Sequence, residues 1–473
     1  MALKEFYYKR LLEKFKFEPT NGQKELFEAL AGFMDNENIS KLLLVTGFAG
    51  TGKTSALNAF ISLLKQYRMR YVLLAPTGRA AKVLANYTGA TAQTIHKQIY
   101  RQKSIDEAGG SFSLDYNKNA NTVFIVDEAS LIAPGDALGT SIFGSGNLLD
   151  DLISYVTSNT GNRLILLGDP AQLPPIGYDH SPALEESYVA SYMPIYRHIH
   201  LTEVVRQAQE SGILYNATLI RTLIERNDIF SDWRFKTDLF PDIENITGGD
   251  LIEALSDAID KYGTEEVVVL CRSNRRANRY NAGIRERILY KEETLCRDDR
   301  LMVVKNCYKF SEALKDDIDF IANGDVAVLQ RVWEHEERYG LHFASAELAF
   351  PDYNNIEIRC KIILDTLSSE SPSLNGEQQK ALFTGVYEDY SSISTKKKRL
   401  KAVREDPYYN ALQVKYAMAI TGHKSQGGQW KCVFIDNNLW SENISLDDLK
   451  WLYTAITRGI EKVYLVNFKS VFI

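Results

Sequence analysis

The chain has 473 residues, 45% hydrophobic and 25% charged, which is ordinary globular composition with room for two to four domains and argues against disorder. A formal net charge of −6 excludes an overall basic field, so any nucleic-acid contact needs a local basic groove inside an acidic exterior. The five cysteines, Cys271, Cys296, Cys307, Cys360 and Cys432, are scattered with no CxxC pair, which disfavours a disulfide framework or a zinc site.

From the N-terminus, "MALKEFYYKRLLEKFKF" mixes Lys and Glu through its apolar positions, so it has no signal-peptide core. No apolar run approaches a membrane span, and a soluble, cytoplasmic protein is expected. In "FEPTNGQKEL" the Gln23 amide could read an adenine or cap the helix that follows. Next, "KLLLVTG" from Lys41 reads as a buried strand, and Gly47 to Thr54 satisfies Gly-x-x-x-x-Gly-Lys-Thr between that strand and a helix. Gly47, Gly50 and Gly52 permit the φ values that turn N–H groups inward on a β-phosphate, with Thr51 and Ser55 in the same turn. Lys53 reaches the β and γ oxygens and Thr54 can ligate magnesium.

Further near-continuous apolar runs follow: "RYVLLAPT" from Arg70, "TVFIVDEA" from Thr122 and "RLILLGDP" from Arg163. Separated by helical patterns, they predict a doubly wound parallel sheet whose ligands collect at the carboxyl ends of its strands. Between "RYVLLAPT" and "TVFIVDEA", "YRQKSIDEAGGSFSLDYNKNAN" carries Gly109 and Gly110 between two alternating segments and reads as a hairpin. Asp127 suits a magnesium shell and Glu128 beside it an attacking water; adjacent acids at a strand end can also be a solvated turn, but after a phosphate loop the metal reading wins. Gln172 in "GDPAQLPPIG" could sense a γ-phosphate or water, or sit in a polar Pro-rich loop.

A second series, "EVVVLCRS" from Glu266, "CVFIDN" from Cys432 and "KVYLVNF" from Lys462, predicts a second α/β domain. Inside it lies a β-rich insertion ("RLMVVKNCY", "NGDVAVLQRV", "RYGLHFASAEL", "IEIRCKIIL") with Asn323 and Gly324 as a turn, then a polar, helical part. Its tail, "STKKKRLKAVRED" from Ser394, reads as a solvated helix face, with nucleic-acid contact as the alternative.

Together with "APTGRAAKVL", "TIHK", "LTEVVRQAQESGIL", "AITGHKSQGGQWKCVFID" and "LYTAITRG", these segments resemble the ordered motifs of superfamily 1 helicases, nearest the RecD-like and Dda-like branch of group 1B. The resemblance runs from about Thr20 to Val466. It implies two RecA-like domains, 1–97 with 121–196 and 197–298 with 411–473, a β-hairpin pin at 98–120 and a barrel of the Src-homology-3 type at 299–410. It further implies ATP and magnesium in the cleft. Gln23 would read the adenine, Lys53, Thr54 and Asp127 would hold phosphates and metal, Glu128 would be the base and Gln172 the coupling residue. Arg206 and Arg458 would reach the γ-phosphate from the second domain, where arginines are worth about 10³ to 10⁵ in rate; the alternative for each is a surface ion pair.

The same resemblance implies a monomeric motor on single-stranded DNA and its junctions with duplex. Thr77, Gly78, Arg79, Thr94 and His96 on one domain, and Thr421, His423, Lys424 and Ser425 on the other, would grip backbone phosphates without reading sequence. Either histidine could instead be a supporting hydrogen bonder. Phe112 or Tyr116 would stack at the fork, or be buried against the first domain. The short hairpin in place of a large first-domain insertion implies 5′ to 3′ movement. Competing readings are an RNA helicase or ribonucleoprotein remodeller, an ATP-gated DNA-binding module of a larger complex, and a small-molecule kinase, which leaves half the chain without a role.

Overall fold

The computed structural model describes residues 3–34, 40–102, 112–135, 144–204, 211–229, 233–307, 321–437, 439 and 444–473. Two parallel sheets and a closed barrel organise the chain.

The first sheet contains β1 (Leu42–Gly47), β2 (Arg70–Ala75) and β3 (Ala92–Thr94). A two-stranded ribbon, β4 (Tyr100–Gln102) and β5 (Phe112–Leu114), interrupts it before β6 (Thr122–Val126), β7 (Arg163–Gly168) and β8 (Ile195–Leu201). The spatial order β3-β2-β6-β7-β1-β8 is parallel throughout. Every residue of β1, β6 and β7 is buried, because helices cover both faces. Leu43, Val45, Ile125 and Ile165 pack with Leu11, Phe27 and Phe60 on one side, whereas Leu42, Leu44, Phe124 and Leu164 pack with Leu149, Leu152 and Val156 on the other. The period of two that sends neighbouring residues to opposite faces thus meets apolar surface on each, worth roughly 1.5–3 kcal/mol per large aliphatic side chain.

The ribbon β4–β5 is antiparallel, with Tyr100 opposite Leu114 and Gln102 opposite Phe112. The expected hairpin is therefore present at its base, while its Gly109–Gly110 turn lies outside the described residues. Phe112 packs half-buried against the first-sheet core, and Tyr116 stands 73% exposed.

The second sheet begins with β9 (Ile243–Ile246) and β10 (Val267–Cys271). The chain then builds the barrel from β11 (Arg300–Val303), β12 (Val326–Arg338), β13 (Leu341–Phe350), β14 (Ile356–Ile363) and β15 (Leu412–Tyr416). It returns through β16 (Ala419–Thr421), β17 (Trp430–Asp436) and β18 (Gly459–Val466), giving the parallel order β16-β10-β17-β18-β9. Gly324 turns into β12 at φ +101°, a conformation that favours glycine. Closure uses β15, which pairs antiparallel with β11 and parallel with β14.

Between β14 and β15, the helices Gly376–Asp389 and Lys396–Glu405 bury Leu382, Val386 and Val403 against Leu341, Phe343 and Ile363. Lys396, Lys397, Lys398 and Lys401 stay on the exposed face, as the solvated-face reading of this segment expects. Among the described residues no helix is long and apolar enough to cross a membrane.

Candidate functional site

The site grows from the end of β1. Beyond Gly47 the chain turns through Gly50 and Gly52, both at φ +78°, and enters the helix Lys53–Gln66 with no side chain capping its N-terminus. The N–H groups of that first turn present the positive end of the helix dipole toward the loop. Gly47 is required for packing, since a Cβ there would lie 2.8 Å from Leu201 Cβ. The Thr51 hydroxyl donates to Phe48 O at 2.8 Å, and Lys53 Nζ donates to Gly47 O and Phe48 O at 2.5 and 2.9 Å, so the lysine lies over the loop. Thr54 is half-buried on the same turn, and Ser55 Oγ pairs with the Tyr87 hydroxyl at 2.9 Å.

Gln23 is buried. Its Oε1 accepts from Thr20 N at 3.0 Å, completing a capping box, and its Nε2 donates to Thr51 O at 2.9 Å. The helix-cap role is therefore present, and the same amide braces the phosphate loop.

At the end of β6, Asp127 Oδ1 accepts the Glu128 N–H at 2.9 Å, and Glu128 takes φ +54°, a left-handed conformation that costs a non-glycine residue roughly 1 kcal/mol. Burial, then the Glu128 charge, pushes the Asp127 carboxyl up to about 6, against the pull of that N–H and of Lys53. At the end of β7, Asp169 Oδ1 accepts from Ala171 N at 3.0 Å. Gln172 is 5% exposed and its Oε1 has no hydrogen-bond partner among the described residues, the kind of buried acceptor that a water or ligand group satisfies.

The second sheet meets these loops through the helix Leu446–Ile456. Tyr453 Oη donates to Asp169 Oδ2 at 2.6 Å and accepts from Ala49 N at 2.8 Å. Thr454 Oγ1 accepts from Leu173 N at 2.8 Å, and Gln426 Nε2 donates to Leu173 O at 2.6 Å. Phe48, Ala171 and Leu173 share one buried cluster with Ile213, Trp451 and Leu452. Arg458 is 3% exposed and donates within its own sheet, from Nε to Thr454 O, Nη1 to Gly428 O and Nη2 to Thr457 Oγ1. Arg206 lies outside the described residues.

The residues expected to line a groove sit on both sheets. Thr77 and Thr94 each cap a helix, their hydroxyls accepting from Ala80 N and Lys97 N at 3.2 Å. The Arg79 guanidinium lies 3.9 Å from the Trp430 ring centroid, and burial brings its pKa down to about 10. Thr77 and Ala80 also approach Gly427, so the loops of the two sheets touch here. On the second sheet, Thr421 is half-buried, His423 is exposed, and Ser425 is fully buried with its hydroxyl donated to Gly422 O at 2.7 Å. Lys424 Nζ donates to Asn323 Oδ1 of the barrel; burial, then the charge of Lys415, brings its pKa down to about 8. His96 sits beside Tyr100, and burial lowers it to about 4, leaving it neutral near pH 7. Sequence reasoning missed Tyr453, Thr454, Gln426 and Trp430; only their membership of the quoted motifs singled out their neighbourhood.

The barrel also reaches the groove residues. Lys82 pairs with Asp352 at 2.7 Å, and a Cβ on Gly78 would come within 2.5 Å of Asp325 Oδ1. Asp325 is 1% exposed, its Oδ2 accepts from Ala322 N and Tyr353 Oη at 2.7 Å each, and its Oδ1 has no hydrogen-bond partner among the described residues. Burial, with Asp352 nearby, raises this carboxyl to about 7 against those two hydrogen bonds.

A folded pKa above the unfolded one, which is about 4, means that the contribution is complete at pH below the unfolded value and is lost as pH rises through about 7. Asp325→Asn removes the ionisation, so its stability relative to wild type should rise by on the order of 3 kcal/mol between pH 4 and 7.5. Urea midpoints of both proteins at the two pH values would check this, and a difference that does not move with pH would refute it.

Two family models match the chain: an AAA domain over residues 19–222 and a UvrD-like helicase C-terminal domain over residues 416–466. The chain is 31% identical to the ATP-dependent RecD2 DNA helicase of Deinococcus radiodurans over 205 residues, 42% of this chain and 24% of that protein, so the match spans about a quarter of that relative's length. It is 23% identical to an uncharacterized protein of Acanthamoeba polyphaga mimivirus over 504 aligned positions, 90% of this chain and 96% of that one. Among solved structures, the Pif1 helicase from Bacteroides in complex with ADP-AlF3 and ssDNA aligns over 97% of this chain and 95% of that one, at TM-score 0.46 and 16% identity.

Proposed function

We propose that this chain, a superfamily 1B helicase of the RecD-like branch, hydrolyses ATP between its two parallel sheets and uses the cycle to move 5′ to 3′ along single-stranded DNA, separating duplex ahead of it. One observation carries the reading. The phosphate loop and the turn after β7 both hydrogen-bond to the helix Leu446–Ile456 of the other sheet, so a change at the nucleotide is a change at the junction of two bodies.

The residues suit a magnesium nucleotide. Two glycines at positive φ, a helix start with no side-chain cap and the orphan Gln172 Oε1 match what a polyphosphate and its water need. Thr54 and Asp127 would hold the magnesium ion, which when bound draws charge from the terminal phosphates. Lys53 exchanges two loop carbonyls for phosphate oxygens, Glu128 takes the proton of the attacking water, and Gln172 orients that water. Arg458 would complete the site from the second sheet, with Arg206 as its partner by the resemblance, which makes hydrolysis depend on how the two sheets sit. Gln23, whose amide is engaged by Thr20 N and Thr51 O, would read the base by exchanging one of those bonds.

For the track, Thr77, Gly78, Arg79, Thr94, His96, Thr421, His423, Lys424 and Ser425 remain the proposed backbone contacts, with Tyr116 as the exposed aromatic of the hairpin base. Steady-state ATP hydrolysis without polymer, with single-stranded DNA and with RNA of the same sequence tests the proposal. DNA should raise the maximal rate by about tenfold or more, and a tailed duplex should be unwound only from a 5′ tail. Equal or stronger stimulation by RNA would move the reading to an RNA remodeller, and no stimulation would favour the gated module.

A further inference from the structure

We propose that the Tyr453 hydroxyl is a positioning group that transmits the conformation of the phosphate loop to the second sheet, an inference that rests on reading the chain as an ATP-driven motor. Tyr453 is 1% exposed, and its hydroxyl uses its donor on Asp169 Oδ2 and accepts from Ala49 N. Burial, with the Asp169 charge beside it, raises the phenol far above its ordinary range, so it stays a protonated donor.

Three elements therefore share one oxygen: the phosphate loop, the end of β7 and the helix Leu446–Ile456. That helix also takes Leu173 N on Thr454 Oγ1, so the turn from Asp169 to Leu173, which carries Gln172, is held at both ends by it. Arg458 follows two residues beyond the helix. Ala49 lies between Phe48, whose carbonyl Lys53 occupies, and the left-handed Gly50. When Lys53 leaves those carbonyls for phosphate, the Ala49 N–H must keep or break its bond to Tyr453. A kept bond carries the loop's movement into the helix that holds the second sheet's contribution to the site, whereas a broken one leaves Tyr453 Oη without that donor and frees the helix from the loop.

Tyr453→Phe removes the hydroxyl while keeping the ring that fills the interface. Amide exchange in residues 446–458, measured with and without ADP and magnesium, should change in wild type, and the change should be at least about fivefold smaller in the variant. In steady state, the ATP KM of the variant should stay within about threefold while its maximal stimulation by single-stranded DNA falls about tenfold. Thr454→Val, which cuts the Leu173 tether, provides a second folded probe if the first variant melts early, and should lower the stimulation in the same direction. An unchanged nucleotide response in both variants, no response in wild type, or a rise in KM alone would overturn the inference. Wild-type exchange that responds to ADP without any stimulation of hydrolysis by DNA would instead overturn the motor reading and leave the link standing.

Discussion

Glu128→Gln is expected to keep nucleotide binding and to lose about 10² to 10⁴ in turnover, or roughly 3 to 5 kcal/mol of barrier. Glutamine has nearly the size of glutamate, so the left-handed backbone at φ +54° and the N–H that Asp127 Oδ1 accepts are both retained. The lost feature is the carboxylate proposed to take the proton of the attacking water. A second consequence follows from the neighbouring acid. The Glu128 charge is one of the causes holding the Asp127 carboxyl up near 6, so its removal lowers that value and leaves Asp127 more fully ionised at neutral pH. Magnesium nucleotide should then bind as well as in wild type or better, while hydrolysis fails. Equilibrium binding of a fluorescent ADP analogue, beside single-turnover ATP hydrolysis at saturating single-stranded DNA, separates the two effects. Wild-type turnover in this variant would remove Glu128 from the proposed role.

Long buried strands were legible because a parallel sheet covered on both faces leaves an uninterrupted apolar run. "KLLLVTG", "TVFIVDEA", "RLILLGDP" and "CVFIDN" became β1, β6, β7 and β17 for that reason. Shorter or edge strands left no such trace. β8, "IYRHIHL", lies at the edge of its sheet and buries only Ile199 and Leu201, and β3 has three residues. In the barrel the alternating strands were readable, whereas closure through β15 was not, because a five-residue strand resembles any half-buried segment.

The candidate site divides in the same way. The phosphate loop is contiguous, so spacing alone reveals it. The bonds of Tyr453 join residues 284 and 404 positions apart, and no local pattern encodes such a pairing. Gln23 shows a different limit, since its capping role is legible from the Thr-x-x-Gln spacing whereas its bond to Thr51 O, 28 positions away, is not.

Arg458→Lys is expected to lower the maximal rate of hydrolysis by about 10³ or more, with a small change in ATP KM. The arginine does not point at the phosphate loop in this structure. All three guanidinium nitrogens donate to Thr454 O, Gly428 O and Thr457 Oγ1 of its own sheet. To serve the γ-phosphate it must exchange some of these bonds, each worth about 1.5–3 kcal/mol for a charged donor, for phosphate oxygens that offer at least as much. That exchange is favourable only when a triphosphate is present and the sheets approach, so the arginine is silent otherwise. Lysine keeps the charge but cannot fork across two acceptors, which separates geometry from mere positive potential. A purely structural arginine predicts another outcome: the melting temperature falls because buried carbonyls lose donors, while molecules that remain folded hydrolyse ATP at the wild-type rate. Measuring the rate well below the melting transition, with the folded fraction fixed by circular dichroism, decides between them. A lowered rate at full folding places Arg458 at the reaction, and a normal one confines it to bracing the end of the helix that holds Tyr453.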